Sequence, residues 1–153
     1  MVQESLLAYL HLLAILSMVV FLTAEAALCR GEWLNAAVVE RLARVDLIYG
    51  LAAAAVLVTG LLRVWLGVKG SGWYWSNPLL YVKLAMFVAI GLLSIKPTLT
   101  FVRWRRQLRA DGSLPQAQEI RLVRRLVMVQ AHLLPLVPLA AVFLARGFGK
   151  APS

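Results

Sequence analysis

Residues 6–28 read LLAYLHLLAILSMVVFLTAEAAL, about 23 positions in which only His11, Glu25 and the small hydroxyls of Ser17 and Thr23 interrupt an apolar run. At about 1.5 Å per residue a helix of that length crosses a hydrocarbon core of about 30 Å, so the stretch predicts a transmembrane helix. A cleavable signal peptide is the competing reading, because Ala24-Glu25-Ala26 mimics a small-residue cleavage site. Residues 1–5 contain no Lys or Arg, however, and the apolar run is longer than a signal sequence needs, which favours a span that stays.

Three more blocks of the same kind follow, at about 47–66, 78–100 and 126–144. The second is rich in small residues (Gly50, Ala52 to Ala55, Gly60), which lets a neighbouring helix approach closely. The third opens with Asn77-Pro78, a capping residue followed by proline at the first helical position. The fourth contains Pro135 and Pro138, each of which removes a backbone donor and predicts a kink. Across all 153 residues, 61% are hydrophobic and 15% charged, and the mean hydropathy is +0.79. Together these predict an all-α fold, a single four-span membrane domain over residues 1–153, and exclude an ordinary water-soluble core.

The net charge of +9 would suggest nucleic acid in a soluble protein, but the basic residues sit beside the apolar blocks, where topology accounts for them. Residues 96–125 hold Lys96, Arg103, Arg105, Arg106, Arg109, Arg121, Arg124 and Arg125 against Asp111 and Glu119. The positive-inside rule assigns this stretch to the cytoplasm, and the first loop, with Arg30, Arg41 and Arg44, joins it there. Arg63, Lys69, Arg146 and Lys150 then lie outside, and so do both termini, the orientation of a multi-pass protein of the bacterial inner membrane. Trp65, Trp73, Tyr74 and Trp75 mark the outer headgroup level, with Lys69-Gly70-Ser71-Gly72 expected as a flexible turn between them. Asp111-Gly112-Ser113-Leu114-Pro115 breaks two basic helical extensions on the inner side.

Ionisable residues inside a bilayer are costly, about 2.5 to 3.5 kcal/mol at the midplane, so each invites a functional reading. On the predicted spans His11 lies about 9 Å outward of the middle of the first helix, Lys83 about five residues into the third, and Arg63 at the outer end of the second. These three share a depth, no carboxylate accompanies them, and such a group favours an anion. Glu25 falls near the inner end with Arg30, Arg44, Asp46 and Lys96, and mutual neutralisation is expected there. Lys96, thirteen residues beyond Lys83, is expected to snorkel to the headgroups.

Two histidines in a bundle invite a bis-imidazole haem, but His11 and His132 differ in depth by roughly 13 Å on the predicted spans. A single ligand at His11 stays open for a metal or for haem b, with Lys83 and Arg63 gripping propionates. A helix-to-helix hydrogen bond is the competing role for His11. For His132, the carbonyls freed by Pro135 and Pro138 are the expected partners. Met18, about 10 Å along the axis from His11, cannot share its iron. Cys29 is the lone cysteine, and Leu28 before it breaks a lipobox, so a small buried hydrophobe is expected. Hydrolase chemistry has no foothold, since no Ser-His-Asp set or carboxylate pair with catalytic spacing is visible.

The runs Ala8-Tyr9-Leu10-His11-Leu12-Leu13-Ala14-Ile15-Leu16, Asp46-Leu47-Ile48-Tyr49-Gly50, Thr59-Gly60-Leu61-Leu62-Arg63-Val64 and Asn77-Pro78-Leu79-Leu80-Tyr81-Val82-Lys83-Leu84 resemble an uncharacterised bacterial inner-membrane family, a domain of unknown function. The likeness covers nearly the whole chain. More remotely, a His in the first helix and Val82-Lys83-Leu84 early in the third are similar to HemJ-type protoporphyrinogen oxidases and CopD-type membrane proteins. The former resemblance supplies no activity; the HemJ likeness implies haem binding and oxidation of a porphyrin precursor, with His11 and Lys83 at the matching positions. Three functional classes stand at this point. One is a haem- or porphyrin-handling protein using His11, Lys83 and Arg63. Another is a scaffold or accessory subunit, a homo-oligomer or part of a membrane complex, whose basic segment meets anionic lipid. The third is a small oligomeric transporter.

Overall fold

The computed structural model describes residues 2–67 and 70–146. It is built from six helices, α1 (Val2–Leu28), α2 (Ala36–Leu66), α3 (Ser71–Trp75), α4 (Pro78–Asp111), α5 (Ala117–Leu133) and α6 (Leu136–Ala145), with no strand among the described residues. Four candidate spans are long and apolar enough to cross a bilayer: α1, α2, α4, and a fourth over Ala117–Phe143 that joins α5 to α6. The fold is an all-α membrane bundle, and its fourth span bends by 19°. α1 packs on α2 and α5, α2 on α4, and α4 on α5 and α6, so the spans close into a ring with one shared interior.

The helix ends follow local chemistry. Asn35 caps α2 by accepting from the Val38 amide at 3.0 Å, and Asn77 caps α4 by accepting from the Leu79 amide at 3.0 Å, with Pro78 filling the first position where no amide partner is needed. α4 stops at Gly112, whose φ of 73° is a left-handed conformation that glycine tolerates, and its amide closes the last turn on the Leu108 carbonyl. α2 and α4 run well past their apolar blocks on the inner side, and α4 passes straight through Pro97. Pro97 leaves the Leu93 carbonyl without its helical donor, and the Gln130 side-chain amide from α5 approaches that oxygen at 3.4 Å. In the fourth span the helix breaks at Leu134 and Pro135 and restarts at Leu136.

Each span turns a stripe of residues inward at spacings of three and four, such as His11, Ala14, Met18, Leu22 and Glu25 on α1 and Ile120, Val123, Val127 and Gln130 on α5. The outward faces carry exposed Leu10, Leu16, Val20, Leu51, Val58, Leu92 and Leu139. That belt is what lipid contact requires and what a water-soluble protein of this size avoids. The two ionisable residues within the α1 span, His11 and Glu25, therefore sit on the inner stripe, which inverts the pattern of a soluble amphipathic helix.

Several expectations are corrected. Ser71 and Gly72 belong to α3 rather than to a flexible turn; only Gly70 is bent back, its amide on the Gly67 carbonyl, while Lys69 lies outside the described residues, as does Lys150. The small residues of α2 divide: Ala52 is buried and Gly60 faces α1, whereas Gly50 meets open space and Ala54 and Ala55 are exposed.

Candidate functional site

The bundle interior contains two polar layers. The outer one is a cavity of about 170 Å³, walled by residues of α1, α2, α4 and the bent fourth span from its break into α6. On α1 the lining residues are His11, Ile15 and Met18; on α2 Gly60 and Arg63 stand among them; on α4 Lys83 does. Their spacings, i, i+3, i+4 and i+7, are those of one helix face. Leu134 at the helix break and Val137 and Pro138 of α6 complete the wall. His11, Arg63 and Lys83 thus meet around one space, and none of its described lining residues is acidic. His11 is buried, Lys83 half-buried and Arg63 exposed, so the charged rim lies toward the exposed Trp75 and Leu57 and the imidazole deeper in.

The orientation of the imidazole follows from its partner. The Thr59 hydroxyl donates to the Ala55 carbonyl at 2.6 Å, which spends its proton. Its oxygen stands 2.8 Å from His11 Nδ1 and accepts from it, so the inferred neutral tautomer carries hydrogen on Nδ1 and its lone pair on Nε2. An acceptor of this kind on the far ring nitrogen fixes ring orientation in many ligating histidines. Gly60 permits the approach: a Cβ there would lie 3.2 Å from His11 Cε1.

The inner layer was only partly visible in the sequence. Glu25 of α1 and Asp46 of α2 are buried, 1% and 4% exposed, and neither forms an ion pair among the described residues. This corrects the expected neutralisation. Arg30 is exposed and lies over the Trp33 ring, and Arg44 and Lys96 are exposed. The described ion pairs are Arg103 with Glu119 and Arg109 with Glu40, both at the inner, helix-extension end. Asp46 accepts from the Thr98 hydroxyl at 2.9 Å. Tyr49 donates to Gln130 Oε1 at 3.1 Å. Thr98, Tyr49 and Gln130 were missed as polar partners; the signal was Gln130 in an otherwise apolar block, and Pro97 demanding a donor for the carbonyl four residues earlier.

The remaining candidates separate from both layers. His132 is exposed, and its Nδ1 donates to the Met128 carbonyl at 2.6 Å, not to the carbonyls freed by Pro135 and Pro138. The reason is direction: side chains on a helix lean toward its N-terminus, so the ring meets the carbonyl one turn back rather than that of Ala131 or Leu134. His132 is exposed whereas His11 is buried, so the two do not share one interior site. Cys29 is a buried free thiol at the end of α1. No group of three or more His, Cys, Asp or Glu that could hold a metal ion occurs among the described residues.

A family model described as Predicted membrane protein (DUF2214) matches residues 3–149, and the chain belongs to that family. No curated protein and no solved structure matches the chain. The remote likeness to HemJ-type and CopD-type proteins therefore rests on its two short motifs.

Proposed function

Starting from that membership, we propose that the outer cavity binds the carboxylate end of an amphipathic anion, with haem b or a related porphyrin as the specific candidate. The observation that carries the reading is the convergence of His11, Arg63 and Lys83 from three helices on one apolar-walled cavity with no acidic residue in its described lining. Arg63 and Lys83 supply charge-assisted contacts to carboxylates. The lone pair on His11 Nε2 suits iron, or accepts a proton-bearing group from an iron-free ligand. A haem would bring redox chemistry to the site. Its charge fits; its size fits only in part, because about 170 Å³ falls below the roughly 300–1,000 Å³ of pockets that enclose drug-sized ligands. The cavity accordingly takes an end of such a molecule rather than the whole.

The reading carries the orientation with it: a multi-pass protein of the bacterial inner membrane, both termini periplasmic, with the cavity in the outer half and eleven of the sixteen Lys and Arg on the cytoplasmic side. The outward Gly50, Ala54 and Ala55 support a homo-oligomer or a larger membrane complex. A structural lock is the second reading, favoured by the His11 to Thr59 hydrogen bond that ties α1 to α2.

Titration of the detergent-purified protein with haem b and with iron-free protoporphyrin separates the two. Both ligands are expected to bind, and His11→Ala is expected to abolish the haem Soret shift while leaving the iron-free porphyrin bound. Uptake of neither ligand by a monodisperse preparation would leave the lock as the role of His11.

A further inference from the structure

We propose that Glu25 and Asp46 form an intramembrane proton-binding site in which one shared proton takes the place of a counter-cation. Glu25 Oε1 is fully buried and has no hydrogen-bond partner among the described residues, in a residue only 1% exposed. The His11 to Thr59 bond sets the antiparallel register of α1 and α2, which brings Val45 of α2 level with Glu25 and Asp46, only 4% exposed, beside it in the packed interior. A buried carboxylate without a cation or donors is costly by several kcal/mol, and two of them in one layer are worse. Something positive must complete the site.

The surrounding elements do not supply it. On α1, Cys29 stands one turn beyond Glu25 as a buried thiol. On α2, Tyr49 gives its hydroxyl proton to Gln130, and Arg44 is exposed. On α4, Thr98 gives its proton to Asp46, and Lys96 is exposed. On α5, the half-buried Arg124 guanidinium donates to the Cys29 carbonyl at 3.2 Å and forms no ion pair with Glu25 or Asp46 among the described residues. A metal cation is disfavoured, because hard cations such as calcium take about 6–8 oxygen ligands, and no group of three or more His, Cys, Asp or Glu gathers here among the described residues. A proton needs one donor oxygen and one acceptor, and two facing carboxyls provide them. When Glu25 holds the proton its O–H donates toward Asp46, which removes both the orphaned atom and one of the two negative charges.

Apolar residues seal this layer from the outer cavity. Glu25 is fourteen residues from His11, about 21 Å along α1, with Ala14, Met18 and Leu22 on the same stripe and Ala52 and Val56 opposite. It lies three residues from the inner end of α1, so exchange is expected with the inner aqueous phase.

Dicyclohexylcarbodiimide, a lipid-soluble reagent that adds to protonated carboxyl groups, tests the site on the full chain in liposomes, with mass spectrometry to locate the adduct. Infrared spectra of the same samples read the carboxylic C=O band. The expected result is an adduct on Glu25 that fades as pH rises, is unaffected by sodium, and disappears together with a C=O band in Glu25→Gln. Asp46→Asn, which keeps the shape, is expected to shift the pH at which labelling fades. Absence of both the adduct and a Glu25-dependent C=O band overturns the proposal. Protection by sodium at constant pH overturns it in favour of a metal cation. An unchanged pH profile in Asp46→Asn overturns the sharing. Haem titration is expected to be unaltered by Glu25→Gln, so this site and the outer one stand or fall separately.

Discussion

The two polar layers of the bundle are built from the same helices and solve opposite problems. The outer layer gathers an imidazole and two cations around an open cavity without a described carboxylate, while the inner layer packs two carboxylates and three neutral polar side chains with no ion pair among them. Both place charge where lipid surrounds the bundle, and the outer one leaves space for a ligand. A cationic layer with a cavity is suited to a ligand that arrives with negative charge. An acidic layer of buried side chains is suited to the smallest cation there is. The apolar stripe between them, Ala14, Met18 and Leu22 on α1, keeps the two from cancelling each other.

The sharpest way to break this contrast is to invert the charge of the outer layer. Lys83→Glu is predicted to weaken porphyrin binding by about 100-fold, the loss of one charge-assisted contact of roughly 3 kcal/mol. Fluorescence titration with iron-free protoporphyrin measures it, and affinity within threefold of the parent would mean that the cavity is no anion site. Next in size, Gln130→Leu removes the acceptor of Tyr49 and the donor to the Leu93 carbonyl that Pro97 frees. Two buried polar groups lose a partner, and a stability loss of about 1–3 kcal/mol is expected, read as a lowered midpoint of thermal unfolding in detergent. An unchanged midpoint would show that the inner layer is not held by that network. The smallest effect is Thr59→Val, which takes the hydrogen bond from His11 Nδ1. Interhelical bonds of this kind in membranes average about 0.6 kcal/mol, so stability barely moves. The haem Soret position is predicted to shift because the ring loses its orienting partner, and a spectrum identical to the parent would assign Thr59 to packing alone.

Much of the outer layer was legible because depth along a transmembrane helix is nearly linear in residue number. His11, Arg63 and Lys83 could be set at one level by counting 1.5 Å steps, and the 3.6-residue period says which residues share a face. Neither count says toward which neighbour the face turns. Thr59 and Gly60 beside His11 were therefore silent in the sequence, as was the part played by the helix break at Leu134 and Pro135 in lining the cavity. The inner layer was harder. Glu25, Arg30, Arg44, Asp46 and Lys96 have similar depths, and proximity along the axis suggested pairing; in the bundle the cations point outward and the carboxylates inward. Radial direction, which depth does not encode, decides whether two charges meet. His132 went astray for a related reason, since a side chain on a helix leans toward the N-terminus and meets the carbonyl one turn back, whichever carbonyls nearby prolines free.

By itself the chain's pattern of apolar blocks, capping residues and basic loops determined that four helices cross a bilayer and roughly where each begins, because the hydrophobic transfer of about twenty residues and the satisfaction of helix ends are local matters. Tertiary structure alone decided which polar side chains share a space. That depends on the rotation of each helix about its own axis and on the order of packing around the ring, and both are set by side chains brought together from distant parts of the sequence.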